Sequence, residues 1–298
     1  MADRAQGRAT LIGMSAVVMW STLGLFTAAS GAVPPLQMNA IAFAVSGGLS
    51  VAFVAARHGW GAVFPKRKAA FALMVCGLFG YHALYFAALR NAPPVTANLL
   101  NYLWPLLIVV FSGLLPGERL KAHHLAGAGL GFVGAALLVT GGEGLSLGGG
   151  HLFGILCAVG AALFWSSYSV LSRRFADVPS TAVSGACLVT ALLSIPAHLA
   201  FEQTLWPANG VEWAASIGTG LLPVGLAFFV WDHGCKHGDI RVLGASAYAA
   251  PILSTLLLIG FGFGAFTGVV VAACLLVTAG ALLASKDMLF SARPAGAG

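Results

Sequence analysis

The sequence predicts an all-α integral membrane protein: ten transmembrane helices arranged as two inverted five-helix repeats. Three observations carry that expectation. Apolar residues make up 59% of the chain and charged residues 8%, against about a quarter charged in a soluble domain, and such a surface does not face water. The charges stand at the seams between long apolar runs, and the basic ones crowd every second seam. The two halves resemble each other at an offset of about 145 residues.

A transmembrane helix needs about 20 mostly apolar residues. Runs of that kind lie near 10–30, 35–56, 69–90, 93–115, 122–141, 150–172, 180–201, 211–234, 242–260 and 265–285. They leave short connections, so no soluble catalytic domain fits. They are too long and continuous for the alternating strands of a β-barrel. The first run follows Arg4 and Arg8 and ends in Ala28-Ala29-Ser30-Gly31, in the manner of a signal peptide. Its length exceeds a typical signal h-region, so it reads as an uncleaved helix.

Arg57, Lys66, Arg67 and Lys68 follow the second run, and Arg119 and Lys121 the fourth. Arg173 and Arg174 follow the sixth, Lys236 and Arg241 the eighth, and Lys286 and Arg293 the tenth. The other seams hold Arg90 with the acids Glu143, Glu202 and Glu212. By the positive-inside rule both termini are cytoplasmic and the chain is a multi-pass protein of the plasma (inner) membrane. The net charge of +6 is spread over these seams as topology signals and forms no patch for nucleic acid. Cys76, Cys157, Cys187, Cys235 and Cys274 have neither ligand nor redox spacing and read as small apolar fillers.

Four anchors recur in order in the two halves. Met19-Trp20-Ser21 matches Phe164-Trp165-Ser166, and Tyr102-Leu103-Trp104-Pro105 matches Tyr248-Ala249-Ala250-Pro251. Gly134-Ala135 matches Gly280-Ala281, and Pro35 matches Pro179. The repeats therefore occupy 1–145 and 146–298. Five is odd, so the second half enters the membrane upside down. Repeats inverted about an axis in the membrane plane are a transporter architecture, because they give one bundle two near-equivalent packings.

The stretch Tyr85-Phe86-Ala87-Ala88-Leu89-Arg90-Asn91-Ala92-Pro93-Pro94 is followed by Asn98-Leu99-Leu100-Asn101-Tyr102-Leu103-Trp104-Pro105 and by the turn Pro116-Gly117-Glu118-Arg119-Leu120. Together they resemble the drug/metabolite transporter superfamily, in its ten-helix branch built from two EamA-type repeats. The similarity runs from the first span to the tenth. In the second repeat Gly260-Phe261-Gly262-Phe263-Gly264 stands where the family carries a Glu-bearing turn. The aromatic density is similar to that of the superfamily's YddG-type aromatic amino-acid exporters. The resemblance implies the fold more strongly than the cargo, since one fold hosts many functions.

Helix period selects the residues able to face one path. Asn98, Asn101, Tyr102 and Pro105 form a stripe on span four, and amides facing lipid would be costly. The alternative for this stripe is internal amide hydrogen bonding. On span three His82 and Tyr85 share a face with Leu78 and Leu89, while Tyr81 and Tyr85 form another. Trp20 and Trp165 lie well inside spans one and six, and Tyr248 joins from span nine. Trp104 stands off the span-four stripe and either lines the path or packs. Pro105 and Pro251 remove backbone hydrogen bonds at matched positions and are candidate kinks. The candidate substrate-binding set is thus Trp20, His82, Tyr85, Asn98, Asn101, Tyr102, Trp104, Trp165 and Tyr248.

Trp60, Trp206 and Trp213 lie at span ends and read as an interfacial belt. Gly127 and Gly131 permit close helix contact within the bundle. Asp232, His233, Cys235, His237 and Asp239 cluster at the end of span eight, where polar residues are ordinary, and no metal or cofactor is expected. No Asp, Glu, Lys or Arg reads as lying near the middle of a span. That disfavours a buried proton relay and phosphorylated cargo, which needs a fixed cation. The expected function is a secondary transporter exporting small amphipathic metabolites, aromatic or other apolar amino acids above all, by alternating access through an aromatic-lined cavity. It is expected to work as a monomer in the lipid bilayer and to be largely facilitative. An exporter of drug-like hydrophobic compounds is the alternative. An intramembrane enzyme lacks support, since no Gly-x-Ser-x-Gly context accompanies a histidine.

Overall fold

The computed structural model describes residues 2–116, 119–141, 151–262, 266–284 and 286. Gly117, Glu118, Glu143, Phe263, Gly264 and Arg293, which enter the sequence reading, lie outside the described residues. Those described are helical or in turns and irregular connections such as 202–208, with no strand among them. We label the long helical runs in order and count a run with a single interruption as one. They are α1 (Ala2–Ser21 continued by Leu23–Ala29), α2 (Pro35–His58) and α3 (Lys68–Val75 and Tyr81–Asn91). Then come α4 (Pro94–Asn101 and Leu103–Ser112), α5 (Ala122–Thr140), α6 (Leu152–Leu171) and α7 (Val183–Phe201). The last are α8 (Gly210–Leu221 and Ala227–His237), α9 (Ile240–Ser246 and Ala249–Gly260) and α10 (Gly268–Ala284). Eight of these runs are long and apolar enough to cross a membrane; α4 and α10 are shorter apolar helices. The helix ends depart from the sequence expectation by no more than a turn, except that α1 begins earlier, at Ala2.

The interruptions have local causes. In α3 a π turn spans Cys76–Gly80, and in α8 another spans Leu222–Leu226, where Pro223 has no N–H to give the ladder. In α4 the helix breaks at Tyr102 (φ −64°, ψ 3°), just ahead of Pro105. In α9 it breaks at Ala247 and Tyr248, just ahead of Pro251. At Thr22 in α1, the hydroxyls of Ser21 and Thr22 bond back to the carbonyls of Val18 and Met19, which competes with regular helix.

Helices of the first half pack on helices of the second: α2 along α7, α5 along α10, α1 along α8, and α3 along α6. Glycine decides the closeness of α5 and α10. A methyl group on Gly127 would stand 2.5 Å from the Gly280 carbonyl oxygen, and one on Gly280 would stand 2.5 Å from that of Gly127. The expected close contact at Gly127 is thus made within the bundle.

Polar clasps close the two ends. At one end Glu202 accepts the first free amides of α2, Leu36 and Gln37, both at 3.0 Å, where the helix dipole favours an anion. Arg90 (3.0 Å) and His198 (2.9 Å) hold the same carboxylate. At the other end Arg67 pairs with Asp177, and Asp239 caps α9 while its own amide donates to Thr10. Burial pushes the Asp239 carboxyl up, but the Arg241 guanidinium and the α9 amides outweigh it and hold the group below its ordinary value.

Lys236 stands at the end of α8, one residue before His237, as a charge at a seam should, but its side chain is 0% exposed and lies 2.7 Å from the equally buried Asp232. Tyr168 (3.1 Å) and Ser180 (2.6 Å) also donate to Asp232, and the ammonium donates to the Val178 carbonyl at 2.8 Å. The pair neutralises itself, which is how two buried charges are tolerated in the last two turns of a membrane helix.

Candidate functional site

Four tryptophans from four helices meet where the halves join. Trp20 of α1 lies 5.9 Å from Trp104 of α4, 5.8 Å from Trp165 of α6 and 4.9 Å from Trp231 of α8, centroid to centroid. Trp104 and Trp231 are 5.7 Å apart and nearly perpendicular, while Trp165 and Trp231 lie nearly parallel at 6.4 Å. Edge-to-face and offset pairs are the favoured aromatic geometries. Phe228, a turn before Trp231, touches Trp20 and Trp165 and stacks on Phe43 of α2. Trp20 is half-buried and the other three tryptophans are buried. The rings touch one another in this conformation. Two shallow grooves lie elsewhere, about 490 Å³ around Phe64 and Phe71, and about 320 Å³ between α3 and α6 at Cys76 and Phe164.

Helix α3 supplies the polar margin. Tyr81 sits against Trp165 at 5.4 Å and stacks on Tyr85 at 5.9 Å. His82 packs between Phe43, Tyr81 and Phe228, and its Nδ1 lies 2.6 Å from the Leu78 carbonyl. Both faces that helix period left open on α3 therefore contribute: Tyr81 and His82 are successive residues of the regular helix Tyr81–Asn91, about 100° apart, and the aromatic cluster is wide enough to meet both. The span-four amides meet these tyrosines. Tyr85 donates to Asn98 Oδ1, and Asn101 Nδ2 donates to the Tyr81 hydroxyl at 3.1 Å. Asn101 is 5% exposed, yet its Oδ1 has no hydrogen-bond partner among the described residues. A buried acceptor left open is costly, and here it lies at the edge of an aromatic cluster.

Of the residues expected from the sequence, Trp20, His82, Tyr85, Asn98, Asn101, Trp104 and Trp165 join this network. Tyr102 lies at the α4 break between Asn101 and Trp104. Tyr248 does not join. It is buried in a separate cluster with Ala135, Ile252, Ala273 and Val277 and packs on Phe132. Sequence reasoning missed Trp231, Phe228 and Phe43. The first two were within reach: His82 and Phe228, and Tyr85 and Trp231, stand at the offset that relates the two π turns.

A membrane protein of paired helices with an aromatic junction and one open acceptor has the form of a transporter. The EamA-like transporter family model matches the chain twice, over residues 7–140 and 152–286. The chain belongs to that family and is a multi-pass membrane protein. It is 47% identical to the aromatic amino acid exporter YddG of Ancylobacter novellus, over 94% of this chain and 98% of the relative. It is 26% identical to the protein of the same name from Salmonella typhimurium, over 84% and 87% of the two chains. A solved crystal structure with 46% identity superposes with a TM-score of 0.89 over 94% of this chain and 98% of the other.

Proposed function

We propose that the protein is a secondary exporter of aromatic amino acids that works by alternating access through the tryptophan junction. The observation that carries this reading is the open, buried Asn101 Oδ1 beside four converging tryptophans. The substrate side chain takes the place of ring–ring contacts within the cluster. Its ammonium donates to Asn101 Oδ1. The Tyr81 hydroxyl, which already accepts from Asn101, donates a hydrogen bond to the carboxylate. A zwitterion carries no net charge, so hydroxyls and amides suffice to hold it. The names of the relatives support the substrate class.

The architecture proposed for this work is ten crossings in two halves, 1–145 and 146–298, inverted with respect to each other. The two matches of the family model support the division. The helix pairings support the symmetry: exchanging each helix with the one five places on turns α1–α8 into α6–α3 and leaves α2–α7 and α5–α10 unchanged. The recurrence of π turns in α3 and α8 and of breaks in α4 and α9 supports it again. Five crossings per half require the inversion. The basic seams support cytoplasmic termini, and the proposed setting is the plasma (inner) membrane, with the protein acting as a monomer.

Purified protein in liposomes loaded with radiolabelled phenylalanine, tyrosine or tryptophan tests the reading. Release is expected without any ion gradient, driven by the cargo. Trp20→Ala, Tyr102→Ala and Trp165→Ala are expected to cut that release while expression is kept. Normal transport by all three variants would remove the site. Stronger competition by drug-like hydrophobic compounds than by amino acids would replace the substrate class. Retention relieved by an imposed proton gradient would replace the facilitative mechanism.

A further inference from the structure

Tyr248 is far from idle in its separate cluster. In a continuous helix the Leu106 amide would donate to the Tyr102 carbonyl. Here the Tyr248 hydroxyl stands between them. It accepts from Leu106 N at 3.1 Å and donates to Tyr102 O at 3.1 Å. The preceding rung is already missing, because Pro105 has no N–H for the Asn101 carbonyl. Two successive rungs of α4 are thus open, one by proline and one by a side chain from α9. A side chain inserted into the ladder is an established cause of a helix kink.

The wedge is firmly held. Tyr248 is fully buried. Its ring fills the space that Gly131 of α5 leaves by having no side chain, since a methyl group there would overlap the ring. Tyr248 also sits at the break of its own helix, immediately before Ala249–Gly260. The break in one half is therefore propped by a residue from the corresponding break in the other. Asn101, with its open acceptor, stands just before the propped turn, and Trp104, which touches three other tryptophans, lies within it.

We infer that Tyr248 is a positioning residue: its hydroxyl, wedged into the backbone of α4, holds the break at Tyr102 open and sets where Asn101 and Trp104 stand for the substrate. The inference rests on the function proposed above. Tyr248→Phe removes the wedge and keeps the ring. In liposomes it is expected to raise KM about tenfold, the weight of one hydrogen bond, with maximal rate within about twofold of wild type. The factor is expected to be the same for phenylalanine, tyrosine and tryptophan, because it acts through the amino-acid headgroup. In an Asn101→Ala background the further rise is expected to vanish, as two residues acting as one unit are not additive. If Tyr248→Phe cannot be recovered from membranes, Gly131→Ala displaces the same ring with its hydroxyl retained, and the same criteria apply. A wild-type KM for Tyr248→Phe, effects that multiply with Asn101→Ala, or factors that differ among the three substrates would each overturn the inference. Should Asn101→Ala itself leave KM unchanged, the headgroup site falls and the wedge falls with it. If Asn101→Ala raises KM and Tyr248→Phe does not, only the wedge is lost.

Discussion

Lys236→Met should destabilise the protein strongly, and Asp232→Leu more strongly still. Both side chains are 0% exposed and lie 2.7 Å apart. Breaking a buried ion pair by removing one partner costs about 3–5 kcal/mol, because the survivor is a buried charge without compensation. The partners left behind decide where each variant falls in that range. Without Lys236, Asp232 keeps the Tyr168 and Ser180 hydroxyls, which places the cost near the lower bound, about 3 kcal/mol. Without Asp232, Lys236 keeps only the Val178 carbonyl as a described acceptor, which places the cost near the upper bound, about 5 kcal/mol. The double variant Asp232→Leu/Lys236→Met removes both charges. What remains is two hydroxyls without their acceptor and the Val178 carbonyl without its donor, about 1 kcal/mol each. The double variant should therefore be more stable than Asp232→Leu and no less stable than Lys236→Met, so that the two losses are far from additive. Denaturant unfolding in detergent micelles, followed for all four proteins, measures it. Small and additive losses in the single variants would refute the reasoning, since they would mean that the pair is hydrated in solution.

Three further outcomes are expected. Glu202→Ala should lower stability by about 2 kcal/mol, at the upper end for a helix cap, since the carboxylate holds two α2 amides as well as Arg90 and His198; a wild-type unfolding midpoint would contradict this. Asp239→Ala should lose about 1 kcal/mol as the cap of α9. Because the folded Asp239 carboxyl is held below its ordinary value, its contribution is present above that value and fades as the pH falls through the lowered one. The stability gap between wild type and variant should accordingly narrow toward acid, and a gap that widens would reverse the sign. Gly127→Leu should force α5 from α10, because the new Cβ would stand 2.5 Å from the Gly280 carbonyl oxygen; poor recovery of folded protein checks it, and Gly129→Leu, on an open face, is the control.

How far the sequence carried the reading depends on whether the helix ladder was intact. Where it ran unbroken, hydropathy and period sufficed: α2, α5, α6 and α7 lie where the apolar runs placed them. The two prolines announced the breaks in α4 and α9, and the repeat put Trp20 and Trp165 in one place. Period fails across an interruption, and Tyr248 shows how. Matched to Tyr102 by the repeat, it is expected on the path; standing in the break at Ala247 and Tyr248, it faces α5 and the α4 backbone instead. On α3 Tyr81 and His82 read as competing faces when both contribute, because a cluster fed by several helices meets more than one stripe of a helix. The burial of Lys236 was missed for a different reason. Hydropathy weighs charges singly and cannot see that Asp232, four residues earlier, cancels one. Glu202 reaches α2 across 166 residues of chain, a distance no local pattern spans. The interruptions that defeated period also sit beside the residues proposed to bind substrate. Helices that must rearrange around a ligand are broken where they hold it, so the positions least legible as helix are the first to examine for function.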